Sequence, residues 1–104
     1  MSHYRVLSLA RENTREIRHL LTMYPNFGDL HNQIARAAIS VPSNIAEGLG
    51  SGTSRMKRRG LFIARGSNNE LAVQMDLLVT DTDHPIFDQI DHVGRMLTKL
   101  IRVM

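Results

Sequence analysis

The 104-residue sequence contains no cysteine and no tryptophan, and it has no long apolar run. Because there is no cysteine, disulfide bonds and thiolate metal sites are excluded. No apolar run approaches the roughly 20 residues that span a bilayer, so we expect no membrane segment. The segment Met1–Tyr24 carries charges throughout and lacks the apolar core of a signal peptide. A cytoplasmic location is therefore expected.

Sequence patterns of catalytic centres are also missing, and we predict a non-enzymatic protein without cofactor or metal. The glycine-rich segment 48–52 lacks the lysine and the preceding strand of a phosphate-binding loop. No Gly-x-Ser-x-Gly nucleophile elbow is present. Glu16 and His19 form one Glu-x-x-His motif, but a di-iron bundle needs two such motifs and two further glutamates. Helix capping explains the Asp81–His84 segment better than metal binding does.

Charge is unevenly distributed along the chain, whose formal net charge is +3. Residues 1–67 contain ten Lys and Arg against four Asp and Glu, a net of +6, whereas residues 68–104 have a net of −3. This polarity suits an anionic partner for the first part, or self-association between opposite faces. Two solvated faces that merely differ in charge are the alternative.

Apolar periodicity predicts a single all-α domain spanning residues 1–104. Four helices are expected, at about residues 4–23, 29–48, 54–80 and from Pro85 onward, with short connections. Short connections make neighbouring helices antiparallel, so the predicted architecture is an up-down-up-down four-helix bundle.

Turn and cap residues are predicted from their chemistry. Asp29, Thr53 or Ser54, and Asp83 are the expected N-caps, and Gly48 is expected to end helix two in a left-handed conformation. Phe27 is expected to pack beneath the first connection, and His3 to lie on the surface with the other scattered histidines.

The segment Gln33–Gly48 carries an apolar stripe and a polar stripe at helical spacing. The polar stripe is short-chained in its middle, which suits close contact with another helix. Pro42 removes a backbone donor inside this helix, so a kink is predicted there. We predict a structural or interface role for seven residues in and near this segment: Ser40, Pro42, Ser43, Asn44, Glu47, Gly48 and Glu70.

Small residues on one face of helix three, Gly60, Ala64 and Ser67, predict a close approach to another helix. If the turn between helices two and three is centred near Gly50, Glu47 lies near Arg55 and Arg58. The same register places Asn44 near Lys57 and Arg36 near Arg65. Two arginines brought together need an anion, which Glu70, a phosphate or a partner protein could supply.

A basic cluster is the best candidate for a binding site. Phosphates are bound by such clusters without any reading of base sequence. With five aromatic residues in the chain, stacking on single-stranded bases has little support. The cluster suits nucleic acid or an acidic protein partner, and a solvated face is the alternative. Its residues are Arg36, Arg55, Lys57, Arg58, Arg59 and Arg65.

The segment Gln33–Gly48 resembles one family closely, and Phe62–Leu71 is similar to that family's second patterned region. These are the small four-helix-bundle proteins encoded within intervening sequences of bacterial large-subunit ribosomal RNA genes. Accessory variability proteins of diversity-generating retroelements are similar and belong to the same group. The chain departs from the family pattern at Ala35 (commonly arginine), Leu49 (often aromatic) and Asn68 (commonly leucine).

The resemblance implies an up-down bundle in which helix two continues through Pro42, assembly into a homopentameric ring, and no enzyme activity. In the retroelement branch it implies binding of nucleic acid and a reverse transcriptase through basic surface. Our hypothesis is a homo-oligomeric adaptor for nucleic acid (RNA or DNA) or for a protein partner. The alternative is a purely structural protein–protein interaction module with no nucleic-acid role.

Overall fold

The computed structural model describes residues 4–26 and 28–104, which form four α-helices. Consecutive helices pack against each other and the first packs against the fourth, which confirms the predicted antiparallel four-helix bundle. No strand occurs in these two ranges. The expectations for Phe27 and His3 concern positions outside the described residues. The helices are α1 (Tyr4–Leu21), α2 (Asp29–Leu49), α3 (Ser54–Leu78) and α4 (Pro85–Val103).

Two predicted caps are wrong, because a neighbouring residue takes the role. Asp29 is the first residue of α2, and Gly28 precedes it with a positive φ of 71° that glycine adopts readily. At the start of α4 the cap is His84, whose Nδ1 accepts the Ile86 N–H at 3.0 Å. The expected cap of α3 is confirmed at Thr53, whose hydroxyl accepts the Met56 N–H at 3.2 Å.

Gly48 does not end α2, contrary to the prediction. The helix continues to Leu49, and Gly50 follows as its C-cap with a φ of −82°. The Gly50 N–H donates to the carbonyl of Ala46 at 3.0 Å. Gly48 is instead a buried helical residue, so its missing side chain serves packing and not a left-handed turn.

The core consists of two apolar clusters stacked along the bundle axis. Because the helices are antiparallel, one cluster combines the end of α1 and the start of α2 with the end of α3 and the start of α4. Ile17, Ile34, Met75 and Ile86 are fully buried there. The second cluster, around Leu61, fills the opposite half. Every helix contributes to both clusters. None of the helices in the described part of the chain is long and apolar enough to cross a bilayer.

Two buried asparagines hold α4 from both sides at mid-bundle. The side-chain amide of Asn13 on α1 donates to the Gln89 carbonyl at 3.1 Å. Asn68 on α3, only 3% exposed, donates to the adjacent Ile90 carbonyl at 3.0 Å. Each buried amide therefore has a hydrogen-bond partner, which avoids the free-energy cost of an unpaired buried polar group. The polar side chain of Asn68 is thus accommodated in the core by a hydrogen bond.

Pro42 lies inside α2, which continues through it without a break. Proline has no N–H, so the carbonyl of Ala38, four residues earlier, loses its intrahelical donor. The hydroxyl of Thr14 on α1 lies 2.7 Å from that oxygen and can donate to it. The same hydroxyl lies 2.9 Å from its own helix's Ala10 carbonyl, so its single proton serves one acceptor at a time.

Helices α2 and α3 touch through backbone at Gly48 and Gly60. A Cβ atom placed on Gly60 would lie 2.6 Å from the Gly48 Cα and 2.8 Å from the Asn44 carbonyl oxygen. Further along the same contact, the hydroxyls of Ser40 and Ser67 are hydrogen-bonded at 2.7 Å. The close approach predicted from the small residues of α3 is therefore present.

The observed pairs shift the helix register from the predicted one. Ser40 meets Ser67, so Arg36, one turn earlier, lies level with the part of α3 beyond Ser67 and not with Arg65. The expected ion pairs of Glu47 with Arg55 and Arg58 do not form. Across residues 4–26 and 28–104 one ion pair occurs, between Asp91 and Arg95 at 3.3 Å.

Replacing Gly60 by alanine should destabilise the bundle, because the new methyl would overlap backbone of α2. We expect a loss of about 2 kcal/mol or more in unfolding free energy, the scale of core overpacking. The matched control is Gly66→Ala in the same helix, where a Cβ meets nothing within 4 Å. That change should stabilise by about 0.5–1 kcal/mol. Urea denaturation followed by circular dichroism measures both, and equal effects would contradict the close contact.

Candidate nucleic-acid interface

The first three turns of α3 present an exposed basic surface. Arg55, Arg58 and Arg59 are all exposed, and none has an ion-pair partner within residues 4–26 and 28–104. Positive side chains at a helix N-terminus oppose the helix dipole, and no carboxylate offsets this arrangement. The three guanidinium groups are therefore available to an external anion.

An apolar floor lies between these arginines. Phe62 and Ile63 are 44% and 43% exposed, and Met56 is 57% exposed. Together with the three arginines and Met104 at the end of α4, they line one open depression. Met56 and Ile63 therefore face solvent, although they are apolar residues of α3. This combination of cations and exposed apolar surface is suited to a partner with both phosphates and flat rings.

Phe62 lines this depression and also contacts Arg65 outside it. We call Arg58, Phe62 and Arg65 together the α3 platform. The Arg65 guanidinium lies 5.1 Å from the centroid of the Phe62 ring, and that of Arg58 lies 6.0 Å from it. Both distances are within the range of cation–π attraction. The spacing i, i+4, i+7 in the sequence places these three residues on one helical face, and this signal could have identified Phe62.

Lys57 has a structural role that the sequence did not indicate. Its ammonium group donates to the Leu49 carbonyl at 3.0 Å and to the Ser51 carbonyl at 2.7 Å. Carbonyls at the end of a helix lack intrahelical donors and carry its negative dipole, so a cation there is stabilising. Of the six predicted binding cations, Lys57 is thus held against the α2–α3 turn and withdrawn from a ligand.

The predicted polar stripe of α2 divides between contacts and solvent. Asn44 donates to the Ser40 carbonyl at 2.9 Å and to its hydroxyl at 3.0 Å, within α2 itself. Ser43, Glu47 and Arg36 are exposed, and Arg36 does not line the depression of the basic surface. On α3, Glu70 accepts from the Gln74 amide at 3.0 Å instead of pairing with an arginine.

A second exposed feature follows the far half of α3. Val73 is 63% exposed and Leu77 is 69% exposed, on successive turns of the helix. We call Val73 and Leu77 the α3 apolar stripe. Large apolar residues exposed on neighbouring turns are suited to an interaction surface.

A metal site needs several ligands that converge on one point. Over residues 4–26 and 28–104, no three His, Asp or Glu side chains converge as a metal site would require. Glu16 and His19 therefore have no third ligand in that part of the chain.

These features define the class of the molecule, an antiparallel four-helix bundle with a basic, aromatic platform on its third helix. Residues 2–99 match the family of 23S rRNA-intervening sequence proteins, and the chain belongs to that family. The resemblance to intervening-sequence proteins is thereby confirmed.

One solved structure similar to this chain is a protein of unknown function from the S23 ribosomal protein family of Bacteroides thetaiotaomicron. The two align with a TM-score of 0.88 and 20% sequence identity, over 98% of this chain and 99% of the other. At this identity the likeness establishes the fold alone. No curated protein matches the sequence.

Replacing Lys57 by methionine should lower stability, because the two turn carbonyls lose their cationic donor. We expect a cost of about 1.5–3 kcal/mol, the range for hydrogen bonds to a charged group. Arg59→Met is the matched control: it removes a neighbouring exposed cation and should change stability by less than about 0.5 kcal/mol. Thermal unfolding of both variants provides the measurement. Equal stabilities would assign Lys57 to the solvent-exposed cations.

Proposed function

We propose that this protein is a non-enzymatic, homo-oligomeric adaptor that binds nucleic acid through the α3 platform. The observation that carries the proposal is the exposed Phe62 ring with a guanidinium group 5.1 Å from its centroid and another 6.0 Å away. An aromatic ring flanked by cations offers stacking to a base and charge to its phosphates. A solvated helix face has no need of an exposed phenylalanine between arginines.

The surroundings of the platform support an anionic partner. Arg55 and Arg59 add two exposed cations beside it. Among the described residues, the acidic residues on either side along the chain, Glu47 and Glu70, form no ion pair with these arginines. Nucleic-acid affinity rises with the number of phosphates neutralised, because each contact releases condensed counterions. The membership of the 23S rRNA-intervening sequence protein family agrees with this proposal, although its description names no activity.

Self-association is the second part of the proposal. The α3 apolar stripe exposes two large side chains to solvent, outside the depression of the basic surface. A second copy of the chain would bury them, which is worth roughly 25 cal/mol for each Å² of apolar surface removed from water. A ring of five copies is what the resemblance to the family implies. Such a ring would repeat the platform around its circumference and raise affinity for a long strand through multivalency.

Single-stranded nucleic acid should bind with an affinity that falls steeply between about 50 and 200 mM salt. Phe62→Leu keeps the apolar bulk but removes the aromatic face, so binding should weaken by about 1–3 kcal/mol per stacked base. Fluorescence anisotropy with a labelled strand of about 20 nucleotides measures it, since OB-type sites cover about 4–16. Bases in a duplex are already stacked on each other and are not free to stack on Phe62. Phe62→Leu should therefore leave the affinity for duplex nucleic acid unchanged.

The control for this experiment is Ile39→Ala, an exposed apolar change on α2, outside both the platform and the α3 apolar stripe. It should leave binding to the single strand unchanged. No binding by the wild-type protein at low salt would refute the nucleic-acid role. The purely structural alternative, a protein–protein interaction module, would then stand, and the α3 apolar stripe is the observation that favours it.

Leu77→Glu should dissociate the oligomer, because a carboxylate cannot be buried in an apolar contact without a partner. Light scattering coupled to size exclusion should give a multiple of the 11.8 kDa chain mass for the wild type and the single-chain mass for the variant. Met23→Glu is the control, because Met23 is 66% exposed but lies outside α3. A monomeric wild type at micromolar concentration would rule out the ring.

The branch of the family is a finer part of the proposal. The resemblance to accessory variability proteins supports a role beside a reverse transcriptase, and the family match supports a place within a ribosomal RNA gene. The gene neighbourhood decides between them. An adjacent reverse transcriptase gene favours the first, and a surrounding ribosomal RNA gene favours the second.

A further inference from the structure

A groove between α3 and α4 carries a second set of cations that the sequence patterns did not single out. Its volume is about 580 Å³, within the range of ligand sites, and it is open along one side of the bundle. Arg95, Lys99 and Arg102 of α4 line it, opposite Arg65 of α3. With four cations and a single carboxylate, Asp91, the lining carries a net charge of +3.

The cations of α4 are regularly spaced along the groove. Steps of four and three residues place them on one helical face, with rises of about 6 and 4.5 Å. Such a row is matched by an extended chain that carries one negative charge at each step. The two packed helices have axes roughly 8–10 Å apart, so the groove between them suits a single strand better than a duplex.

Gly94 gives the groove its depth. A Cβ atom at this position would lie 3.1 Å from the side-chain nitrogen of Asn68, so even a methyl group would crowd the wall. Asn69, exposed on α3, lies along the same lining and offers an amide for hydrogen bonds. The groove therefore combines cations with a neutral hydrogen-bonding group on its α3 side.

Arg65 connects the groove to the α3 platform. Its guanidinium group stacks on Phe62 at 5.1 Å from the ring centroid, and the same residue lines the groove. A strand with one base on Phe62 can thus continue past Arg65 into the groove without leaving basic surface. Two adjacent sites that share a residue form one continuous path.

We propose that the α3–α4 groove holds the phosphate backbone of single-stranded nucleic acid whose base stacks on Phe62. This inference rests on the proposed nucleic-acid role and assigns the strand its course across the bundle. An acidic protein segment is the competing occupant of a cationic groove. The exposed Asn69 amide and the adjoining aromatic ring favour nucleic acid, which carries bases as well as charge.

We expect the Asp91 carboxylate to weaken phosphate binding in the groove, because it competes for Arg95. Its carboxylate pairs with the Arg95 guanidinium at 3.3 Å, and both side chains are about two-thirds exposed, at 67% and 68%. An exposed pair of this kind contributes little to stability. A phosphate can therefore displace the carboxylate, and removing the negative charge should strengthen binding.

The test compares salt dependence in variants of equal net charge. The groove variant combines Arg95→Gln, Lys99→Gln and Arg102→Gln, and the control combines Arg11→Gln, Arg15→Gln and Arg18→Gln on α1. Each set removes three exposed cations, one of them in the last turn of its helix. Losing three phosphate contacts should lower the slope of log affinity against log salt by about 2. Affinity at about 0.1 M salt should fall on the order of 10- to 100-fold, while the control changes little.

A change in the opposite direction guards against loss of folding. Asp91→Asn should tighten binding several-fold, whereas Asp88→Asn on the same helix, outside the groove lining, should not. Labelled DNA and RNA strands of the same sequence are used in parallel, and both should show these effects. Circular dichroism confirms that every variant retains the bundle.

The results separate the two proposals. A wild-type protein that binds no single strand overturns both. If the wild type binds and Phe62→Leu weakens it, but the groove variant keeps the wild-type salt slope, the platform stands and the groove assignment fails. Polyglutamate serves as the probe for an acidic protein segment in the same assay. If the groove variant loses polyglutamate binding but binds nucleic acid as the wild type does, the groove belongs to an acidic protein and the nucleic-acid assignment fails.

Discussion

The contact between Gly48 and Gly60 is the constraint on which the arrangement of this bundle depends. Two helices can touch backbone to backbone only where both lack side chains, and here neither glycine leaves room for a methyl group. Once this point is fixed, Ser40 meets Ser67 about two turns away along the same face. The outward positions of α3 then follow from helix geometry. The platform at Phe62 and the exposed residues Val73 and Leu77 are thus placed by a contact on the opposite side of their own helix.

Helix number, direction and stripe content were predictable because apolar spacing is a local property of the sequence. The register of α2 against α3 was not predictable, because it depends on whether Gly48 ends the helix or packs against α3. Gly48 could serve a left-handed turn or a close contact, and both uses look the same in sequence. Assigning it to the turn shortened α2 by one residue, and centring the turn near Gly50 placed Arg36 beside Arg65. The small-residue face of α3 indicated the closer packing correctly, but it could not say which residue of α2 it would meet.

The residue types of the candidate site were predictable from the sequence, but the direction of each side chain was not. A run of four cations after the α2–α3 turn is visible in the sequence, but the direction of each long side chain depends on its surroundings. Lys57 turns back to carbonyls at the end of α2, whereas Arg55, Arg58 and Arg59 remain in solvent. Counting aromatic residues undervalued Phe62, because one exposed ring between two guanidinium groups offers more than several buried ones. The arginines and lysine of α4 escaped notice because they fall in the acidic part of the chain.

Pro42 has a consequence for the position of α1. Its missing amide leaves the Ala38 carbonyl dependent on a hydroxyl from another helix, and Thr14 is the group that reaches it. Packing of apolar side chains alone tolerates small displacements, since one aliphatic ridge can slide along the next. A hydrogen bond to one designated oxygen does not, because sliding by a turn of about 5.4 Å would leave that oxygen unpaired. Pro42 thus favours one position of α1 along α2, the position in which Thr14 reaches the Ala38 carbonyl.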